Sequence, residues 1–170
     1  MFSVIQVDFE VQRVVTDDGI SLRLLFWDEI DLRRLSFHHL VHSMRNKHAL
    51  ILVFDITNRS SFQELDKCLT AAREKQVLTT VLLGNKSDLS LERQVSHEEA
   101  QNFADAEQLP YFEVSLAAGS EGAEDVVNHV VFDLLGKLAV EAPPPPPGTP
   151  GTPGTPGTPS SEAMHRCRIL

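Results

Sequence analysis

Thr80-Val81-Leu82-Leu83-Gly84-Asn85-Lys86-Ser87-Asp88 is a short apolar run that breaks at once into polar and charged residues. A run this short, without alternation, reads as a strand buried on both faces, and such strands belong to parallel sheets. Ala49 to Asp55 and Tyr111 to Ser115 have the same character. Between and after these runs the period changes to that of helices. Phe62, Leu65, Leu69 and Ala72 form one inward stripe, Ala100, Phe103 and Ala104 a second, and Val127, Val130, Val131, Leu134 and Leu138 a broad third. Ser61 with Glu64 and Ser96 with Glu99 have the S-x-x-E spacing that satisfies free amides at a helix start. Helices alternating with short buried strands predict a mostly parallel sheet covered by helices.

Upstream the pattern is different. Ile5, Val7, Phe9 and Val11 alternate with Gln6, Asp8, Glu10 and Gln12. Thr16-Asp17-Asp18-Gly19 reads as a turn, and Ile20, Leu22, Leu24 and Phe26 alternate in their turn. This is an antiparallel hairpin. Glu29 to Lys47 reads as a helix after an irregular start. The expected fold is therefore α/β, a mostly parallel sheet with one antiparallel edge hairpin and flanking helices.

The chain has 170 residues and a formal net charge of -9. An acidic surface offers no counter-charge to a phosphate backbone, which disfavours nucleic acid as a partner. Two cysteines, Cys68 and Cys167, make no disulfide framework, no charged-then-apolar leader opens the chain, and the longest apolar run, Ala49 to Phe54, is far too short to span a bilayer. These features describe an intracellular protein. Nine of the ten prolines fall between Pro143 and Pro159, where Pro143 to Pro147 is followed by four Gly-Thr-Pro units. The expectation is a folded body over residues 1–142 and a disordered tail over 143–170, its proline-rich part spanning about 50 Å if extended as polyproline II.

Asn85-Lys86-Ser87-Asp88 follows a buried strand directly, and the strand-to-loop junctions of open parallel sheets are where such folds bind ligands. An Asp carboxylate accepts from two ring N–H donors at once, and a Lys stem can lie across a ring face, so the segment suits a flat heterocycle. As a bare tetrapeptide it reads more readily as a polar turn. His38 and His42 have the i, i+4 spacing of a zinc pair, but no Cys or carboxylate stands at ligand spacing, so they read as an exposed polar face. Cys68, beside the Phe62, Leu65 and Leu69 stripe, reads as a small core thiol.

The ordered segments Val7 to Val11, Leu25-Phe26-Trp27-Asp28, Ile51 to Phe62 and Leu83 to Leu89 resemble the Rab branch of the Ras-like small GTPases, as do Arg93 to Ser96 with Glu98-Glu99-Ala100, and Phe112 to Ser115. The resemblance covers about residues 4–140. It implies an incomplete small-GTPase fold of the P-loop NTPase class and a role in vesicle trafficking. It also implies that Asn85, Lys86 and Asp88 read guanine and that Ser115, Leu116 and Ala117 occupy the second base-contact loop, where the family text is Ser-Ala-Lys. The family's phosphate loop, G-x-x-x-x-G-K-[ST], and its first switch are not found, so the domain reads as N-terminally truncated. Of the second switch, Asp28 alone survives as a vestigial metal ligand. The family's glycine is Asp31, which repels phosphate, and its glutamine is Leu32, which cannot orient water. Losing about four charge-assisted phosphate bonds forfeits on the order of 6–12 kcal/mol.

The resemblance thus predicts a protein with no catalytic residues, weak or absent GTP or GDP binding, and magnesium left with one vestigial ligand. It also predicts that the strand Ile20 to Trp27 pairs directly with Ala49 to Asp55, closing a five-stranded sheet. Cys167-Arg168-Ile169-Leu170 has C-a-a-X form, with leucine favouring geranylgeranyl on Cys167 and Arg168 standing where an aliphatic residue is usual. With only Arg166 and Arg168 as nearby positive charge, a single lipid implies a reversible anchor on the cytoplasmic face of membranes and a soluble pool. Expected partners are trafficking effectors or prenyl-binding escort proteins, and SH3- or WW-type domains on the proline-rich tail. Rival readings are a residual GTP-binding switch, an inactive fragment of a longer GTPase, and a scaffold acting through that tail.

Overall fold

Residues 8–15, 21–28, 36–119, 121–141 and 168–169 are described by a computed structural model. Leu50, Leu52 and Phe54 alternate with Ala49, Ile51 and Val53 along β3 (Ala49–Asp55), so both faces of this strand are apolar. It pairs in parallel with β4 (Thr79–Asn85), which pairs in parallel with β5 (Tyr111–Glu113), giving the order β3-β4-β5. Helices cover the two faces of this sheet. On one, Leu52, Phe54 and Leu82 pack with Leu40 and Met44 from the region of α1 (Phe37–Ser43), Leu65, Cys68 and Leu69 of α3 (Leu65–Glu74), and Ala100 and Ala104 of α4 (His97–Glu107). On the other, Val81, Leu83 and Val114 pack with Val126 and Val130 of α5 (Glu121–Glu141). The inward stripe of α5 is therefore turned from the expected one. Val126 is fully buried, while Val127 is half-buried and Leu138 exposed.

The expected hairpin is present as β1 (Asp8–Val15) and β2 (Ser21–Asp28), antiparallel from Asp8↔Asp28 to Val15↔Ser21. The alternation along β2 is also as read, with Leu22, Leu24 and Phe26 half-buried and Leu25 and Trp27 exposed. Most of the tail lies outside the described residues, but Arg168–Ile169 form β6, which pairs antiparallel with Val14 and Val15, making a second sheet of order β2-β1-β6.

The expected closure of the sheet does not occur, because β2 and β3 belong to different sheets and share no ladder. The geometry at one contact is incompatible with that pairing. The Trp27 ring, at the end of β2, lies 3.6 Å from the Lys47 ammonium, just before β3 begins. Parallel pairing in register would carry Trp27 to the far end of β3, about 20 Å further on at roughly 3.3 Å per residue.

One helix start also differs from its reading. Ser61 caps nothing; α2 (Arg59–Gln63) begins at Asn58, whose side chain accepts from the Ser60 amide at 3.1 Å. Asn is as strong a cap as Ser and stands nearer the strand end. Ser61 is used instead to terminate β3, its hydroxyl accepting from the Asp55 amide at 3.0 Å and donating to the Asn58 carbonyl at 2.6 Å. Ser96 caps α4 as expected, accepting from the Glu99 amide at 3.0 Å, while the Glu99 carboxylate turns to Arg59 and does not complete the reciprocal half of the pair. Of the stretch 29–47, residues 29–35 lie outside the described residues, and the helix within the rest is α1, with His38, His39 and His42 exposed.

Candidate base-binding site

β4 delivers Asn85 and Lys86 to the end of the parallel sheet, where Gly84 must precede them. A Cβ built there would stand 3.1 Å from the Tyr111 hydroxyl, 3.2 Å from Phe54 and 3.3 Å from Glu113, closer than ordinary packing. The chain then turns sharply, Lys86 taking the left-handed conformation at φ 65° and ψ 38° before a 3-10 segment, Ser87–Glu92. Asn85 stabilises this turn through its own side chain, whose Oδ1 accepts from the Lys86 amide at 2.7 Å.

A second loop, Ser115 to Ala118, is drawn onto the first. The Ser87 amide donates to the Val114 carbonyl at 3.1 Å, and the Leu116 amide donates to Asn85 Oδ1 at 3.4 Å. Ser115 Oγ donates to Asp88 Oδ1, and the Ala118 amide donates to Ser115 Oγ at 3.3 Å. Five of the six residues singled out from the sequence, Asn85, Lys86, Asp88, Ser115 and Leu116, thus fall in one hydrogen-bonded pair of loops or adjoin it. Ala117 follows in the second loop and is exposed. Asp28 closes β2 opposite Asp8, but its side chain, like Asp31, Leu32 and Cys167, lies outside the described residues.

The role of Asp55 was not legible as a motif. The parallel register sets Asp55 beside Asn85, and its Oδ2 meets Lys86 Nζ at 2.7 Å. Oδ1 accepts from the Thr57 amide at 2.9 Å and from the Thr57 hydroxyl at 2.7 Å. Partial burial works against the charged carboxylate, but the Lys86 and Thr57 hydrogen bonds outweigh it and hold its pKa below the usual value. The same hydrogen bond raises the pKa of Lys86. Lys86 is thereby fixed along the end of the sheet. The only sequence signal for this was position, since Asp55 ends the neighbouring strand as Asn85 ends β4.

A denser cluster braces the site from behind. Arg93, just past the 3-10 segment, donates from Nη1 at 2.9 Å and Nη2 at 2.8 Å to the two oxygens of Glu113. Tyr111 Oη donates to Glu113 Oε1, and the His97 ring lies 3.2 Å from the same oxygen. The Arg93 hydrogen bonds, against the cost of burial, bring the Glu113 carboxyl down to about 2. Burial first, then the adjacent Glu113, pushes Tyr111 up. Arg59 similarly ties α2 to α4 through Glu99 at 2.6 Å and the Gln94 carbonyl at 3.1 Å. Cys68 is buried in the core, where desolvation pushes its thiol up to about 11 and leaves it inert.

These loops can present donors and acceptors to the edge of a planar ring. Among the described residues Asn85 makes no bond through its amide nitrogen, and Asp88 Oδ2 makes none. Comparison with known proteins decides the family, since a sequence model described as Ras family matches residues 1–135. The chain belongs to the Ras family. It is 36% identical over 120 residues to "Ras-related protein Rab-26" of Bos taurus, covering 69% of this chain and 46% of that relative. It is 36% identical over 116 residues to "Ras-related protein Rab-37" of Homo sapiens, covering 66% and 51%. With "Ras-related protein Rab-33" of Caenorhabditis elegans it shares 32% over 144 residues, covering 82% and 46%. The chain spans about half the length of these relatives. As a Ras-family domain it shows the parallel sheet, the hairpin and the flanking helices of a partial small-GTPase fold.

Proposed function

We propose that this chain is a Rab-like protein of membrane trafficking that retains a guanine-reading corner, has lost the second-switch residues that support hydrolysis, and works through protein contacts. The observation carrying this reading is the pairing of the two loops, Asn85 with Leu116 and Asp88 with Ser115, at the end of the parallel sheet. The groups left over there match guanine. The second oxygen of Asp88 can accept from a ring N–H, and the Asn85 amide nitrogen can donate to a ring acceptor. Lys86, drawn to Asp55, would lay its stem along a ring bound there. Ala117 supplies no cation where the family text has lysine. Asp31 and Leu32, in place of the glycine that meets the γ-phosphate and the glutamine that orients water, support loss of hydrolysis. A geranylgeranyl group on Cys167, within Cys167-Arg168-Ile169-Leu170, would supply the membrane contact.

Titration of the full chain with fluorescent GDP, with and without magnesium, tests the reading. Binding should be weak, dominated by the base, matched by GMP and indifferent to a chelator, and Asp88→Asn should abolish it. A strong preference for GTP that vanishes with a chelator would overturn it.

A further inference from the structure

β3 is built as an interior strand and stands at an edge. Leu50, Leu52 and Phe54 serve one core while Ala49 and Ile51 serve the other, and strands apolar on both faces belong in the middle of a sheet. Among the described residues it pairs on one side only, with β4, leaving an outward row of backbone groups without a ladder partner from Ala49 to Val53, the Asp55 amide being taken by Ser61. Such an edge is ordinarily protected by lysine, proline or a bulge. β3 has none of these. Its register with β4 runs unbroken from Ala49↔Thr79 to Asp55↔Asn85, and Val53 is 50% exposed.

We propose that β3 pairs antiparallel with β3 of a second copy of this chain, joining two three-stranded sheets into one of six strands. The choice of occupant follows from the strand's own sequence. A two-fold axis through Leu52 sets Ile51 opposite Val53 and Leu50 opposite Phe54, which pairs β-branched with β-branched and large apolar with large apolar side chains. The strand's one charge, Asp55, falls opposite Ala49 and is already paired with Lys86. The two copies of Asp55 stand about 20 Å apart along the ladder, at roughly 3.4 Å per residue, and beyond a screening length of about 8 Å they do not oppose association. A two-fold pairing is closed, so assembly stops at the dimer. The proposal is independent of nucleotide and lipid.

Light scattering and sedimentation of the full chain, prepared without lipid, give the test. The expected result is a concentration-dependent monomer–dimer equilibrium, with Val53→Lys weakening it about tenfold or more. Because residue 53 is half exposed, the variant should keep its fold, which circular dichroism checks. Hydrogen exchange supplies a measurement on the unaltered chain. The β3 amides should be protected at high concentration and lose protection on dilution, with β1 and β2 unchanged. The proposal is overturned by a monomer up to roughly 200 µM, by a folded Val53→Lys protein that dimerises undiminished, or by β3 protected in a monomer, which would mean that the edge is filled from within the chain. Protection of β2 rising together with β3 would likewise overturn it, in favour of the partner's hairpin as occupant.

Discussion

At the scale of single residues, Glu113 is the carboxylate whose pKa is moved furthest among the described residues. Its carboxyl is held at about 2, below the ordinary 4.5 of a glutamate, chiefly by the Arg93 fork. A depressed carboxylate stabilises the fold fully above its unfolded pKa, and that stabilisation is lost as pH falls from about 4.5 to about 2. For a partly exposed group, solvent screening reduces this contribution to on the order of 1–2 kcal/mol. Glu113→Gln should therefore lower stability near neutral pH and flatten its fall over that acidic window, as measured by urea unfolding between pH 2 and 6. An equally steep fall in the variant would mean that other carboxylates set the acid limit. None of this was legible beforehand. Arg93 and Glu113 are 20 residues apart, and only the parallel placement of β5 brings them together. Asn85, Lys86 and Asp88, by contrast, could be placed beforehand, as a polar turn following directly on a buried strand, while their reading as guanine contacts rests on the family resemblance.

At the scale of elements, helix starts show how far local signals carry. Ser96 was read correctly because nothing nearby competes for the first amides of α4. Ser61 was misread because its hydroxyl is needed to end β3 and Asn58 already caps α2. Ser96→Ala and Asn58→Ala should each cost about 1 kcal/mol, the usual value of an N-cap. Ser61→Ala should act elsewhere, loosening the end of β3, which amide exchange at Asp55 would detect. If Asn58→Ala proved neutral and exchange at Asp55 stayed unchanged in Ser61→Ala, the assignment of the two roles would fail. Gly84→Ala tests the crowding between β3, β4 and β5. A methyl 3.1–3.3 Å from Tyr111, Phe54 and Glu113 should destabilise by about 1–3 kcal/mol, seen as a lowered thermal midpoint.

At the scale of the whole molecule, strand identity was legible but strand order was not. Alternation marked β1 and β2, and apolar runs marked β3 and β4, because each pattern is written within one strand. Which strand lies beside which depends on the connection between them. There the Trp27 and Lys47 contact marks the end of β2 near the start of β3, a placement incompatible with the expected parallel pair. The membrane prediction also belongs to this scale. Replacing Cys167 by Ser should move the protein from cell membranes to the soluble fraction in a fractionation assay, while replacing the buried Cys68 should leave its distribution unchanged. Equal membrane association of the Cys167→Ser protein would assign the anchor to something other than a lipid on that residue.

The small strand β6 bears on how such a lipid could be attached at all. Arg168 and Ile169, two of the four residues that an attaching enzyme must grip in extended form, are the two that pair with Val15 and Val14. The same backbone cannot lie in an enzyme's cleft and against β1 at once. Such an enzyme would meet a substrate that spends part of its time folded away, and its apparent affinity would be scaled down by the fraction of chains whose terminus has let go. The speed of modification would then be a property of the hairpin, far off in sequence, as much as of the terminus itself.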